Sequence, residues 1–169
     1  MAKTDSKVTF AKWTAYSIAM LVLLVAQNTL SLKINNICLL LPAIVIIAMN
    51  DDNEIALVLG GVFGLLWDMT TGNLLGYNAL ILILFAITVS FIAQYMLRVG
   101  WLSNLIVILC FAAVYEILIY LFFFVLRGNY GLWYTLIIHL LRGAFSALVN
   151  GFLIMLLFNL LRKKLIGIH

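Results

Sequence analysis

Turn-forming and charged residues in this chain are gathered into a few short clusters, and the apolar runs between them are each close to a bilayer in length. The clusters are Lys33 to Asn36, Met49 to Asn53, Thr71 to Leu75, Val99-Gly100 and Arg127-Gly128-Asn129-Tyr130-Gly131. Hydrocarbon offers no partner to a backbone N–H or C=O, so such runs must satisfy their own backbones and fold as helices. Six are expected, at residues 12–32, 34–49, 53–70, 75–98, 101–126 and 132–162, in one transmembrane domain over residues 1–169. Composition agrees: 66% of the residues are hydrophobic and 9% charged, where soluble domains carry about a quarter charged. No connector is long enough to fold separately, and there is no internal repeat.

The second and third segments are short, and the second has Pro42 near its middle. A re-entrant hairpin would bury Asp51-Asp52-Asn53-Glu54 in hydrocarbon, so two short spans are the cheaper reading. Lys3, Lys7, Lys12, Arg98, Arg162, Lys163 and Lys164 fall on one side of the resulting bundle and only Lys33 and Arg127 on the other. By the excess of basic residues on cytoplasmic ends, both termini are cytoplasmic. Trp13, Tyr16, Trp67, Trp101, Trp133 and Tyr134 lie near predicted helix ends, as interfacial aromatics do. The basic start is followed by a full-length apolar run without a small-residue cleavage site, so it is read as the first helix.

The net charge of +4 is accounted for by these helix ends, and nucleic acid is not an expected partner. The lipid bilayer is. Cys38 and Cys110 sit in apolar runs without CxxC or Cys/His spacing, so neither a disulfide framework nor a metal site is expected. No nucleophile stands beside a base, and no glycine loop suits a phosphate. The expectation is a protein without catalysis and without a cofactor.

Two sets of residues stand out. Gly60, Gly64, Asp68, Gly72 and Gly76 recur every four residues. That spacing puts Gly60, Gly64 and Asp68 on one helical face, where small residues let another backbone come close. Such a surface serves either the protein's own helices or a partner. The second set is an intramembrane polar cluster. Glu116 and Arg142 are each 13 residues from Asn129 in the turn between the last two helices, so an antiparallel hairpin brings them to one depth near mid-membrane. They are expected to form an ion pair, read as a structural lock with a proton or ion relay as the alternative. His139, Gly143, Ala147 and Gly151 form one row of the last helix, and Arg142, Ser146 and Asn150 the row beside it.

Residues 60–80, with Gly60-Gly61-Val62-Phe63-Gly64-Leu65-Leu66-Trp67-Asp68, Gly72 and Leu75-Gly76-Tyr77-Asn78-Ala79-Leu80, resemble the signature of the rod shape-determining protein MreD family. That pattern has an aromatic residue followed by glycine and leucine, an aspartate three residues after that leucine, and leucine-glycine entering the next helix. Family members often carry an acid just after a proline in the second helix, where this chain has Ala43. The resemblance implies a scaffold in the bacterial cytoplasmic (inner) membrane that binds the single-span protein MreC. It also implies action alongside MreB, RodA and the transpeptidase partner of RodA in peptidoglycan synthesis and rod shape, with the five-residue series forming or supporting the partner-facing surface. Six short-looped helices and the series Ala11, Ala15, Ala19 also resemble the substrate-binding subunit of an energy-coupling-factor vitamin importer, whose fold the MreD family is thought to share. On the scaffold reading, Gly64→Leu is expected to abolish partner capture without unfolding the protein.

Overall fold

The computed structural model describes residues 2–31, 38–50, 53–72, 74–95, 100–122 and 133–166. Within them are six helices and no strand: α1 (Ala2–Ser31), α2 (Leu40–Asn50), α3 (Asn53–Thr71), α4 (Tyr77–Tyr95), α5 (Trp101–Tyr120) and α6 (Trp133–Ile166). Five carry a run long and apolar enough to cross a membrane, namely Phe10–Leu30, Glu54–Thr71, Tyr77–Gln94, Leu102–Tyr120 and Leu136–Leu160. The expected cluster at Lys33 to Asn36, Asp51, Asp52, Asn73, Arg98 and the turn at 127–131 lie outside the described residues. So do the side chains of Lys3, Lys7, Arg162, Lys163, Lys164, Trp101, Trp133 and Tyr134.

The short helix is the centre of the bundle. Each residue of α2 from Leu40 to Met49 is buried, and α2 touches all five other helices. A helix apolar on every side belongs in a core, and one enclosed by protein need not match the bilayer: its 11 residues span about 16 Å. It begins later than the sequence suggests, and Pro42 is the reason. A proline lacks the N–H that a helix interior requires but is tolerated in the first turn, and Pro42 is the third residue of α2.

Helices α3 and α4 form the closest pair. They run antiparallel, with Gly60 opposite Leu82 and Gly64 opposite Ala79. A Cβ on Gly60 would reach ordinary contact with the Leu82 carbonyl at 3.4 Å, but one on Gly64 would overlap the Ala79 backbone. Gly64 is therefore the point of closest approach. Gly72 and Gly76 follow a different logic. α3 ends at Thr71, and both glycines stand in the turn with positive φ, +66° and +92°, a backbone that side chains with a Cβ resist. The five-residue series thus divides into an α3–α4 contact and a turn.

The second antiparallel pair is α5 and α6, with Gly143 against Glu116 and Gly151 against Ile108. Of the expected interfacial aromatics, Tyr16 and Trp67 are instead buried. Tyr16 stacks on Phe158 at 5.5 Å and Trp67 on Tyr115 at 5.9 Å. Apolar side chains such as Ile18, Leu80, Phe91, Leu141 and Phe145 cover the outside, where a bilayer accepts them.

Gly64 fixes the α3–α4 distance, which overturns the expectation that Gly64→Leu spares the fold. Gly64→Ala should cost roughly 1–3 kcal/mol through overpacking, and Gly64→Leu should leave no monodisperse protein on size-exclusion chromatography in detergent. Val62→Leu, on the exposed side of the same helix, should behave as wild type.

Candidate functional site

Most of the buried polar groups lie toward one end of the bundle, where α1 and α3 finish and α2 and α4 begin. Two of them close helix starts. The first N–H groups of a helix have no partner within it, and inside a membrane no water replaces one. Gln27, near the end of α1, accepts hydrogen bonds through Oε1 from the Leu39 N–H at 2.8 Å and the Leu40 N–H at 3.1 Å. Asp68, near the end of α3, does the same for α4. Its Oδ2 accepts from the Gly76 N–H at 2.9 Å and the Asn78 N–H at 3.1 Å, and its Oδ1 from the Asn78 side-chain amide at 2.7 Å.

This is why Asp68 can be 1% exposed in an apolar protein. Three donors surround the carboxylate, and the positive end of the α4 dipole lies against it. The network continues across the bundle, since the Tyr115 hydroxyl of α5 donates to Asn78 Oδ1 at 2.8 Å. Trp67 stacks on the Tyr115 ring, and its carbonyl accepts from the Thr70 and Thr71 hydroxyls. α3, α4 and α5 are thereby joined by one chain of side chains, Asp68 to Asn78 to Tyr115.

Next to Tyr115, Glu116 begins the second polar group. It is buried, and the expected ion pair with Arg142 does not form. Glu116 faces the imidazole of His139 instead, whose Nδ1 is 3.9 Å from Oε2. The reason is helical geometry. Glu116 packs over Gly143, which fixes the face of α6 turned to α5, and His139 is four residues from Gly143 on that face. Arg142, one residue before Gly143, is turned about 100° away and is exposed. Ser146 and Asn150 share its row at the edge of the packed face, and the Asn150 side-chain amide donates to the Ser146 hydroxyl at 2.9 Å.

A cavity of about 20 Å³ lies where α2, α5 and α6 meet, lined by Cys38, Leu41, Tyr115, Glu116, Gly143 and Ser146 among others. That is room for one water molecule. Glu116, which lines the cavity, has an Oε2 that makes no hydrogen bond within the described structure and stands 3.9 Å from the His139 imidazole. This arrangement can hold a proton or a single water. Among the described residues, no group of three His, Cys, Asp or Glu side chains is placed to hold a metal ion.

Sequence spacing pointed to Gly60, Gly64, Asp68 and the α6 rows. It missed Gln27, whose only signal is a long polar side chain one turn from the end of an apolar run, and Tyr115, which has none. The fold and these buried polar groups define a multi-pass helical membrane protein. No protein-family model, curated protein or solved structure matches the chain.

Asp68→Ala strands three donors and should cost about 3 kcal/mol, and Tyr115→Phe about 1 kcal/mol. Because both act through Asn78, the double variant should lose less than the sum when unfolding is followed in mixed detergent micelles. A second cycle tests the α5–α6 contact. Gly143→Ala pushes on Glu116 and should lower the melting temperature, and Glu116→Ala in the same chain should recover most of that loss.

Proposed function

We propose that this chain is a scaffold subunit of the bacterial wall-elongation machinery, holding an MreC-like single-span protein in the cytoplasmic membrane and so supporting peptidoglycan synthesis and rod shape. The observation that carries the reading is the signature at residues 60–80, in which nearly every distinctive residue has its own geometric task. Gly64 sets the α3–α4 approach, Gly72 and Gly76 make the turn, and Asp68 closes the start of α4. A motif that specifies a hairpin through four such positions supports the resemblance better than a stripe of glycines does.

The reading assigns this chain no catalytic step. Its work is to present helices to neighbours in the complex, with both termini in the cytoplasm and MreB, RodA and the transpeptidase partner of RodA reached directly or through MreC. The face of α3 bearing Gly60 and Gly64 is filled by α4, so the series supports the partner surface from within and a partner meets other faces of the bundle.

In-cell crosslinking of the tagged chain at native expression, followed by mass spectrometry, tests this. An MreC-like protein with other wall-elongation components is the expected capture. A coupling subunit with its ATPases would instead make the chain a substrate-binding subunit of an energy-coupling-factor importer.

A further inference from the structure

Among the described residues, none pairs the charge of Arg142. It stands within the apolar run Leu136–Leu160 of α6, exposed between Leu141 and Phe145, which are 67% and 71% exposed. The acid nearest in depth, Glu116, is turned to His139, whose Nδ1 lies 3.9 Å from its Oε2. No ion pair or hydrogen bond joins Arg142 to another side chain among the described residues. An arginine facing lipid at the centre of a span costs about 2.5–3.5 kcal/mol by insertion scales, and Arg142, six residues into the run Leu136–Leu160, bears part of that cost.

The arginine is not isolated on its face. Ser146 and Asn150 continue the row at successive turns, half-buried and hydrogen-bonded to each other, so the polar line runs about 12 Å along the helix. A lipid phosphate can meet Arg142, since its side chain can reach toward the interface from about 9 Å inside the run. It cannot meet Asn150, which lies about 15 Å from the nearer end of Leu136–Leu160. Asn150 uses one amide hydrogen on Ser146 and keeps a second donor and a carbonyl oxygen. Serine and asparagine at that depth are groups with which membrane helices pair. An occupant that answers all three residues is therefore another helix, not a headgroup.

We infer that the Arg142, Ser146 and Asn150 edge of α6 is the docking line for a transmembrane helix of a partner protein, which carries an aspartate or glutamate level with Arg142 and small or polar residues over Ser146 and Asn150. This rests on the scaffold reading and deepens it, because it names the face on which the single-span partner sits. Opposite charges within a bilayer give register as well as attraction, since a partner displaced by one turn leaves both charges unpaired. Leu141, Phe145 and Val149, exposed beside the polar line, supply the apolar flank that a helix packs against.

The test uses the full chain co-expressed in cells with the MreC-like protein of the same organism. A photocrosslinking residue at Phe145 or Val149 should capture that protein through its transmembrane segment, while one at Leu84, exposed on α4, should not. Arg142→Glu should reduce capture roughly tenfold or more, and replacing the partner's intramembrane acid by arginine should restore it. Arg142→Leu, run in parallel, should give the same monodisperse chromatographic peak as wild type, which separates lost docking from lost folding. If wild type captures the partner and Arg142→Glu captures it equally, the docking line is wrong and the scaffold reading stands. If wild type captures no such partner, both fall. If native mass spectrometry shows phosphatidylglycerol retained by wild type and lost from Arg142→Leu while partner capture is unchanged, the arginine serves a lipid and the proposal is overturned.

Discussion

A helix that starts inside a bilayer starts with unpaired N–H groups and no water to receive them. The architecture of this protein follows from how that debt is met. Two helices begin within the apolar bundle, and neither supplies its own cap: Gln27 reaches from α1 to the start of α2 and Asp68 from α3 to the start of α4. Each cap fixes how far the preceding helix extends relative to the following one. Vertical register, which featureless apolar surfaces specify poorly, is set by hydrogen bonds at one end of the bundle. Close packing at Gly60 and Gly64 then sets lateral distance along the rest of α3 and α4.

The same division separates the two opposite charges of the last hairpin. Glu116 is turned inward, over the glycine that admits it and beside an imidazole, while Arg142 is turned outward. Had they paired, the hairpin would be electrically closed and indifferent to its surroundings. Separated by roughly a quarter-turn of α6, they leave an inner site with a negative or protonated group and an outer face with a permanent positive one. The positive charge of Arg142 is one that no described residue of the fold pairs.

The sequence revealed the class of fold because the bilayer imposes it: run lengths and cluster positions located six helices, and four-residue spacing located the face of α3 that packs. It failed where side-chain direction decides. Counting outward from Asn129 places Glu116 and Arg142 at one depth, but depth is one coordinate of a cylinder, and the angular coordinate belongs to Gly143. Pro42 fell near the middle of the expected second segment, whereas α2 starts at Leu40, where Gln27 of another helix accepts its first N–H groups. Gly72 and Gly76 continued the period of four only in number, since the helix had already ended at Thr71. Nothing in the local sequence of Tyr115 announces that its hydroxyl completes a network begun 47 residues earlier at Asp68. Such relations are set by the assembled bundle and leave no local periodicity.

The enclosed position of α2 also bears on how the protein is made. Ribosomes deliver the chain from its amino end, so α2 emerges before the four helices that later cover most of its surface. With 11 residues it is too short to hold a stable transmembrane position alone, and its only early companion is α1, joined through Gln27. Its final place becomes available only when α3 to α6 close around it. Biogenesis of this bundle is therefore a matter of custody: the most apolar segment of the chain must be kept from lipid and from aggregation by the insertion machinery until its own protein can take it over.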